Sequence, residues 1–152
     1  MATRLVRAGI LTGIVDGLFS SILSAVFYGS TVTRLWQGVA ATLLGSTAIN
    51  GGTRTALVGV LMHFGVAFGW SAVFLLLVTR WHALQRLVDS PYGVMKTAAL
   101  YGPFVWLVMS LAVIPLLVHR PPAINFRWWV QFFGHIPFVA VPIVASLRGI
   151  RV

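Results

Sequence analysis

The stretch that decides the fold is Ala8–Tyr28, AGILTGIVDGLFSSILSAVFY, a continuous apolar run with a single charged side chain, Asp16. A helix needs about 20 apolar residues to cross roughly 30 Å of lipid hydrocarbon, and this run is long enough. The run has no clear small-x-small cleavage site before Gly29 and carries a charge in its middle, which argues against a secretory signal peptide. We therefore interpret it as a retained transmembrane helix.

Four further apolar runs follow along the chain. They are Leu35–Ile49, Thr55–Thr79, Val94–Val118 and Trp128–Leu147. Three of them can cross a bilayer, but Leu35–Ile49 is too short and lies between two glycine-containing turns, as is typical of an interfacial or re-entrant segment. The sequence therefore predicts an all-α membrane protein, a four-transmembrane-helix bundle with one additional short interfacial or re-entrant helix. A single integral membrane domain covers residues 1–152.

The composition excludes several classes of protein. Hydrophobic residues make up 59% of the chain and charged residues 9%, with a mean hydropathy of +0.94, so the predicted solvent is the lipid bilayer. The basic residues stand singly at the ends of apolar runs, and no nucleic-acid partner is predicted. The absence of cysteine excludes disulfides and thiolate metal sites. Because Asp16 and Asp89 are the only acids, a catalytic carboxylate dyad is excluded, and no catalytic residue is predicted.

The distribution of arginine and lysine predicts the topology. With four crossings and a cytoplasmic N-terminus, the basic residues on the inside are Arg4, Arg7, Arg80, Arg86, Lys96, Arg148 and Arg151. Those on the outside are Arg34, Arg54, Arg120 and Arg127. Five crossings would lose this positive-inside bias, so we predict four crossings with both termini in the cytoplasm. The four outer arginines are expected to bind lipid phosphates or an anionic solute.

Small residues recur at every fourth position in two of the predicted helices. Gly9, Gly13 and Gly17 form one such stripe in the first helix, and Gly65 and Gly69 repeat the spacing in the second spanning helix. Residues four apart lie on one face of a helix, where small side chains let another backbone approach closely. We expect both faces to pack against neighbouring helices.

Ionisable groups within the apolar runs need a partner, because a charge at the bilayer centre costs about 2.5–3.5 kcal/mol on insertion scales. Asp16 is expected to face the bundle, where it can either transfer protons or merely fix the helix register. His63 and His135 lie eight and seven residues from the starts of their predicted helices, and therefore at matching depths. They can bind haem b or a metal ion, pass protons with Asp16, or be core histidines bonded to backbone carbonyls. Gln131 would add an amide to the same pocket.

Several short motifs in the chain resemble known sequences. They are Leu35–Gly45, Gly51-Gly52, Gly59, His63-Phe64, Tyr101-Gly102 and Pro115-Leu116. In these motifs the chain resembles a set of small uncharacterised bacterial inner-membrane proteins. The last helix, with Phe133-Gly134-His135, is similar to the end of the YagU-like family. The resemblance implies a location in the bacterial cytoplasmic (inner) membrane and no established catalytic activity.

Two functions of different classes fit these residues. The first is a helical scaffold or accessory subunit in a homo-oligomer or a larger membrane complex, which requires no chemistry. The second is a small transporter or proton-conducting protein, in which Gln37 and Asn50 join Asp16, His63 and His135 along a polar path. The short segment favours the second function, whereas the small size of the chain favours the scaffold, which we prefer at this level. A b-type haem-binding membrane subunit is a third alternative.

Overall fold

The computed structural model describes residues 1–150, and this part of the chain is helical, with no β-strand. The helices are α1 Ala2–Phe27, α2 Val32–Leu44, α3 Gly52–Arg80, α4 His82–Asp89, α5 Gly93–Val118 and α6 Phe126–Leu147. Within these residues α1, α3, α5 and α6 are long and apolar enough to span a membrane. The chain is a multi-pass membrane protein, and the predicted all-α four-helix bundle is confirmed. Arg151, which enters the predicted topology, lies outside the described residues.

The spanning helices run in alternating directions. Gly9 and Gly13 of α1 lie against Phe68 and Phe64 of α3, in the reverse order along the two helices. The start of α1 meets the end of α6, where Arg4 Nη1 donates to the carbonyl of Arg148 at 2.8 Å. We call the end of the bundle where α1 and α5 begin the terminal end. The opposite end, where α1 and α5 terminate, is the loop end.

The most deeply buried apolar side chains lie between the middle of the bundle and its terminal end. Phe74, Val105, Ile143, Val144 and Leu147 are at most 2% exposed and belong to one cluster. These five come from α3, α5 and α6, and Ala8 of α1 belongs to the same cluster, which therefore joins all four spanning helices. In lipid, close packing of this kind is a main source of helix association, because burial from water no longer drives it.

The predicted short segment corresponds to α2 and a following 3-10 turn, Ser46–Asn50. Both ends of α2 lie at the loop end. At its start, the Ser24 hydroxyl of α1 donates to the Thr31 carbonyl at 3.5 Å. Beyond its end, the Thr55 hydroxyl of α3 donates to the carbonyl of Ala48 at 2.7 Å. With 13 residues, α2 therefore leaves and rejoins the same end of the bundle.

The structure adds one helix and moves one boundary. α1 begins at Ala2 rather than at Ala8, so Arg4 and Arg7 belong to the helix. Helix α4 connects α3 to α5 at the terminal end, where Val88 is buried and Arg86 is exposed. An apolar-run criterion misses α4 because its apolar side chains occupy only one face of a polar helix.

The two predicted glycine faces differ in their surroundings. Gly9 and Gly13 are in contact with the phenyl rings of two phenylalanines of α3, and Gly17 lies next to His63. By contrast, a Cβ built on Gly65 or Gly69 would have no neighbouring atom within 4 Å, and both residues are exposed. Their four-residue spacing places them together, but on the face of α3 that points away from the rest of the chain. Within residues 1–150 this face meets no neighbouring helix, and its packing against another chain stays a prediction.

Candidate functional site

Four of the six intramembrane polar residues predicted from the sequence surround one cavity of about 320 Å³. They are Asp16 of α1, His63 of α3, and Gln131 and His135 of α6. The remaining wall is largely apolar. The cavity lies at mid-depth, since Asp16 is near the middle of α1, and it extends toward the loop end. A polar group in such a cavity is shielded from water, so its interactions with a solute or proton are stronger than at a surface.

Asp16 and His63 form the ionisable pair of this cavity. Nε2 of His63 donates to the carbonyl of Gly13 at 3.0 Å, and Nδ1 lies 3.9 Å from Oδ2 of Asp16. The two side chains are only 13% and 15% exposed. The imidazole lies next to Gly17, where a Cβ would be in ordinary van der Waals contact with Nε2 at 3.4 Å. The hydrogen bond to the carbonyl of Gly13 therefore positions His63 beside Asp16.

The geometry defines what this pair can do with a proton. Because a carbonyl only accepts, the bond to Gly13 keeps a hydrogen on Nε2 of His63 and leaves Nδ1 facing the carboxylate. With Asp16 ionised and His63 neutral, the pair carries one negative charge. One added proton, on Nδ1 or on the carboxyl group, makes the pair neutral overall. The pair therefore offers two facing acceptors, Nδ1 and Oδ2, between which a single proton can be held.

The side chain of His135 reaches the cavity from α6. Its Nδ1 donates to the carbonyl of Gln131 at 2.7 Å, and its ring lies 4.8 Å from that of Trp106. In the neutral ring this bond leaves Nε2 as an acceptor. α6 approaches α5 closely here, since a Cβ on Gly102 would lie 2.6 Å from the carbonyl oxygen of His135. Gly102 thus fixes the depth and orientation of this histidine.

Three unpaired polar atoms also belong to residues that line the cavity. Oγ1 of Thr12, Oδ1 of Asp16 and Nε1 of Trp106 are buried without a hydrogen-bond partner within residues 1–150. Buried polar groups usually have a partner, so a polar occupant of this cavity would satisfy them. Thr12 and Ser20 also line the cavity but were not predicted as site residues. Their spacing could have indicated them, because each lies four residues from Asp16 and therefore on the same face of α1.

The structure separates Gln37 and Asn50 from this site. Gln37 is buried, but its Nε2 donates to the carbonyl of Gly52 at 3.1 Å and so ties α2 to the start of α3. Asn50 is exposed at the end of the turn between these helices. Neither residue lines the cavity. Of these elements, α1 contributes the hydroxyl residues Thr12 and Ser20 to the cavity wall, whereas α2 contributes only the apolar Leu35 and Val39.

The ligand geometry for haem or another metal is unfavourable. Within residues 1–150, no group of three His, Asp or Glu side chains is placed to hold a metal ion. For a bis-histidine haem, each imidazole must direct a free nitrogen at the iron. His63 uses Nε2 for the carbonyl of Gly13 and points Nδ1 at Asp16. Whichever nitrogen bound iron would have to turn away from its present neighbour, the Gly13 carbonyl or the Asp16 carboxylate.

A second cavity, of about 370 Å³, lies at the loop end and contains two of the four predicted outer arginines. We call it the vestibule. Arg34 of α2 and Arg127 of α6 line it, whereas Arg54 and Arg120 lie elsewhere, and all four residues are exposed. The vestibule and the central cavity share four lining residues. They are Ser20, Leu35, Val39 and Gln131. The two cavities are therefore adjacent, and these side chains form the boundary between them.

Three π-helical turns interrupt the spanning helices around these cavities. They are Leu23–Phe27 in α1, Met109–Val113 in α5 and Ile136–Ala140 in α6. Ser24 lines the vestibule, and Met109 and Val139 line the central cavity. π turns concentrate at functional sites because the extra residue widens the helix and frees backbone groups.

Comparisons with protein-family models, with curated proteins and with solved structures find no match for this chain. The resemblance to the YagU-like family stays a prediction. Function is therefore inferred from the cavity and its residues.

Proposed function

We propose that the protein is a small transporter or proton-conducting membrane protein that binds protons at Asp16 and His63. The observation that carries this proposal is the shared cavity, in which these two residues and His135 meet although they come from three different spanning helices. Ionisable residues inside membrane spans commonly mark ion pathways and proton relays. The unpaired polar atoms of Thr12 and Trp106 supply further hydrogen-bonding groups for an occupant.

The proposed route enters from the loop end. A proton or solute passes the vestibule, crosses the boundary at Ser20 and Gln131, and reaches Asp16. In the proposed orientation the loop end faces outward and both termini lie in the cytoplasm of a bacterium, with the bundle in the inner membrane and the lipid bilayer as its surroundings. The arginine distribution supports this orientation.

The test is proton flux into liposomes that contain the purified protein and an internal pH dye. A potassium diffusion potential set by valinomycin drives protons inward. We expect Asp16→Asn, which preserves the shape of the side chain but cannot ionise, to lower the flux by about a hundredfold or more, as expected when a positioned proton-transfer group is removed. His63→Ala is expected to lower it as well.

Asp89→Asn is the matched control, because Asp89 is the other acid of the chain and is exposed at the end of α4. Its flux should equal that of the unsubstituted protein. Both variants should unfold at similar temperatures in detergent, which separates lost conduction from lost folding. Equal flux from the Asp16→Asn and Asp89→Asn proteins would refute the proposal.

A scaffold or accessory subunit is the second candidate, and the exposed Gly65 and Gly69 favour it. Small residues four apart on a lipid-facing helix allow a second helix to dock closely, either from another copy or from a larger complex. Purification in a mild detergent discriminates between the two functions. A stoichiometric protein partner together with no proton flux supports the scaffold.

A further inference from the structure

The vestibule is unusual in its charge. Arg34 and Arg127 come from different helices and line the same cavity. The chain has only two acidic side chains, and neither is available to them. Asp16 lies beside His63, and Asp89 ends α4 at the terminal end of the bundle. Within residues 1–150, neither arginine forms an ion pair, so two positive charges face the cavity without a counter-charge from the protein.

The position of both arginines in their helices adds to this excess. Arg34 lies in the first turn of α2 and Arg127 in the first turn of α6, and neither turn contains an acid. The start of a helix is the positive end of its dipole, which favours anions and disfavours cations. Each arginine therefore stands where its own helix repels it. A bound anion would be attracted by both guanidinium groups and by the two dipoles.

The vestibule also offers hydrogen bonds and a fixed geometry. The guanidinium carbon of Arg127 lies 4.2 Å from the centre of the Tyr28 ring, and this stacking orients the planar group. The hydroxyl of Tyr28 is buried without a hydrogen-bond partner within residues 1–150, and Ser30 lies in the same wall. Guanidinium groups bind phosphate and carboxylate oxygens through paired hydrogen bonds, and hydroxyls complete such a shell.

We propose that Arg34 and Arg127 form a binding site for a phosphate-type oxyanion at the entrance to the central cavity. This inference rests on the proposed function for the direction of passage, in which a free oxyanion bound here would pass together with the proton of Asp16 and His63. The anion reaches the protein either as a free ion or as the headgroup of a lipid. Arg54 and Arg120 lie outside the vestibule and take no part.

The experiment measures the binding of inorganic phosphate by calorimetry in a maltoside detergent without phospholipid. We expect Arg34→Gln and Arg127→Gln each to weaken binding by about tenfold or more, the loss expected for a charge-assisted hydrogen bond. Arg54→Gln and Arg120→Gln are the matched controls and should change it by less than about twofold, because neither residue lines the vestibule. Arg127→Lys keeps the positive charge but cannot donate the paired hydrogen bonds of a guanidinium group. The affinity of this variant for phosphate should therefore lie between those of the unsubstituted protein and Arg127→Gln.

A second arm distinguishes the source of the oxyanion. Native mass spectrometry counts the phosphatidylglycerol molecules that stay bound to each variant. If free phosphate does not bind but Arg34→Gln and Arg127→Gln lose a retained lipid, the same site holds a lipid phosphate. If all four arginine variants behave alike in both arms, the inference is wrong. Because binding is measured without flux, it can fail while the Asp16→Asn result stands, or succeed while that result fails.

Discussion

Gly59 of α3 is, among the glycines of residues 1–150, the one with the least room for a Cβ atom. A Cβ at this position would overlap the backbone carbonyl of Trp36, which is part of α2 and cannot move aside as a flexible side chain can. The same contact brings the indole of Trp36 to within 5.1 Å of the His63 ring. The absence of a side chain at Gly59 thus allows α2 to pack against α3 next to the site.

We expect Gly59→Ala to lower the free energy of unfolding by about 1–3 kcal/mol, the usual cost of overpacking. Gly65→Ala is the control, since its Cβ meets open space, and it should raise that energy by up to about 1 kcal/mol because alanine is the better helix former. Thermal unfolding in detergent measures both. The same sign of shift in the two variants would contradict the close contact.

At the scale of the element, α2 decides how many times the chain crosses the membrane. It is amphipathic enough to bury Gln37 and Ala40 against α3 while Leu43 and Leu44 remain exposed. Its two ends are joined to the loop ends of α1 and α3 by short turns. Held in this way, α2 packs against the side of the bundle and does not cross the membrane.

The chain has no cysteine, so single thiols can report on each end of α2. We expect Thr33→Cys and Ser46→Cys to react with an impermeant maleimide applied to the outside of intact cells, because both exposed positions lie at the loop end. Arg86→Cys, on α4, should react only after the membrane is permeabilised. Labelling of Thr33→Cys and Ser46→Cys from opposite sides would mean that α2 crosses.

At the scale of the whole molecule, close packing and polar space are divided between the two ends of the bundle. Phe74 is 1% exposed within the core cluster, whereas the vestibule and its arginines lie at the loop end. The large buried side chains of the core cluster therefore lie in the middle of the bundle and toward its terminal end, and the vestibule lies away from them.

Phe74→Ala is expected to lower the free energy of unfolding by about 3–5 kcal/mol, since it leaves a cavity in the core cluster. Phe126→Ala, whose side chain is 77% exposed at the start of α6, should change it by about 0.5 kcal/mol or less. Unfolding in a mixed detergent titration compares the two directly. Equal losses would show that the packing is not concentrated as described.

Much of the architecture could be predicted from the sequence because the signals are local. Apolar runs of sufficient length mark the spanning helices, and arginine positions indicate their direction. Helix α4 was not predicted, because its apolar residues are separated along the sequence and come together only on one face of the helix. Gly65 and Gly69 have the same spacing as Gly9 and Gly13, but only tertiary structure shows which face meets a neighbour.

The site was predictable in part for the same reason. An ionisable residue in an apolar run stands out, so Asp16, His63 and His135 were found. The neighbouring Thr12 and Ser20 did not stand out, because hydroxyl residues are common in membrane helices and bond to their own backbone. Which arginines share a cavity depends on how α2 folds back, and no pattern within a single helix contains that information.

Two valines in the wall of the central cavity bear on the rate of the proposed transport. Val105 and Val139 line the cavity and also belong to the core cluster. In the proposed transporter, the contacts that hold the bundle together are thus the same contacts that a passing solute must loosen. Substitutions that stabilise the protein at these valines are then expected to slow transport.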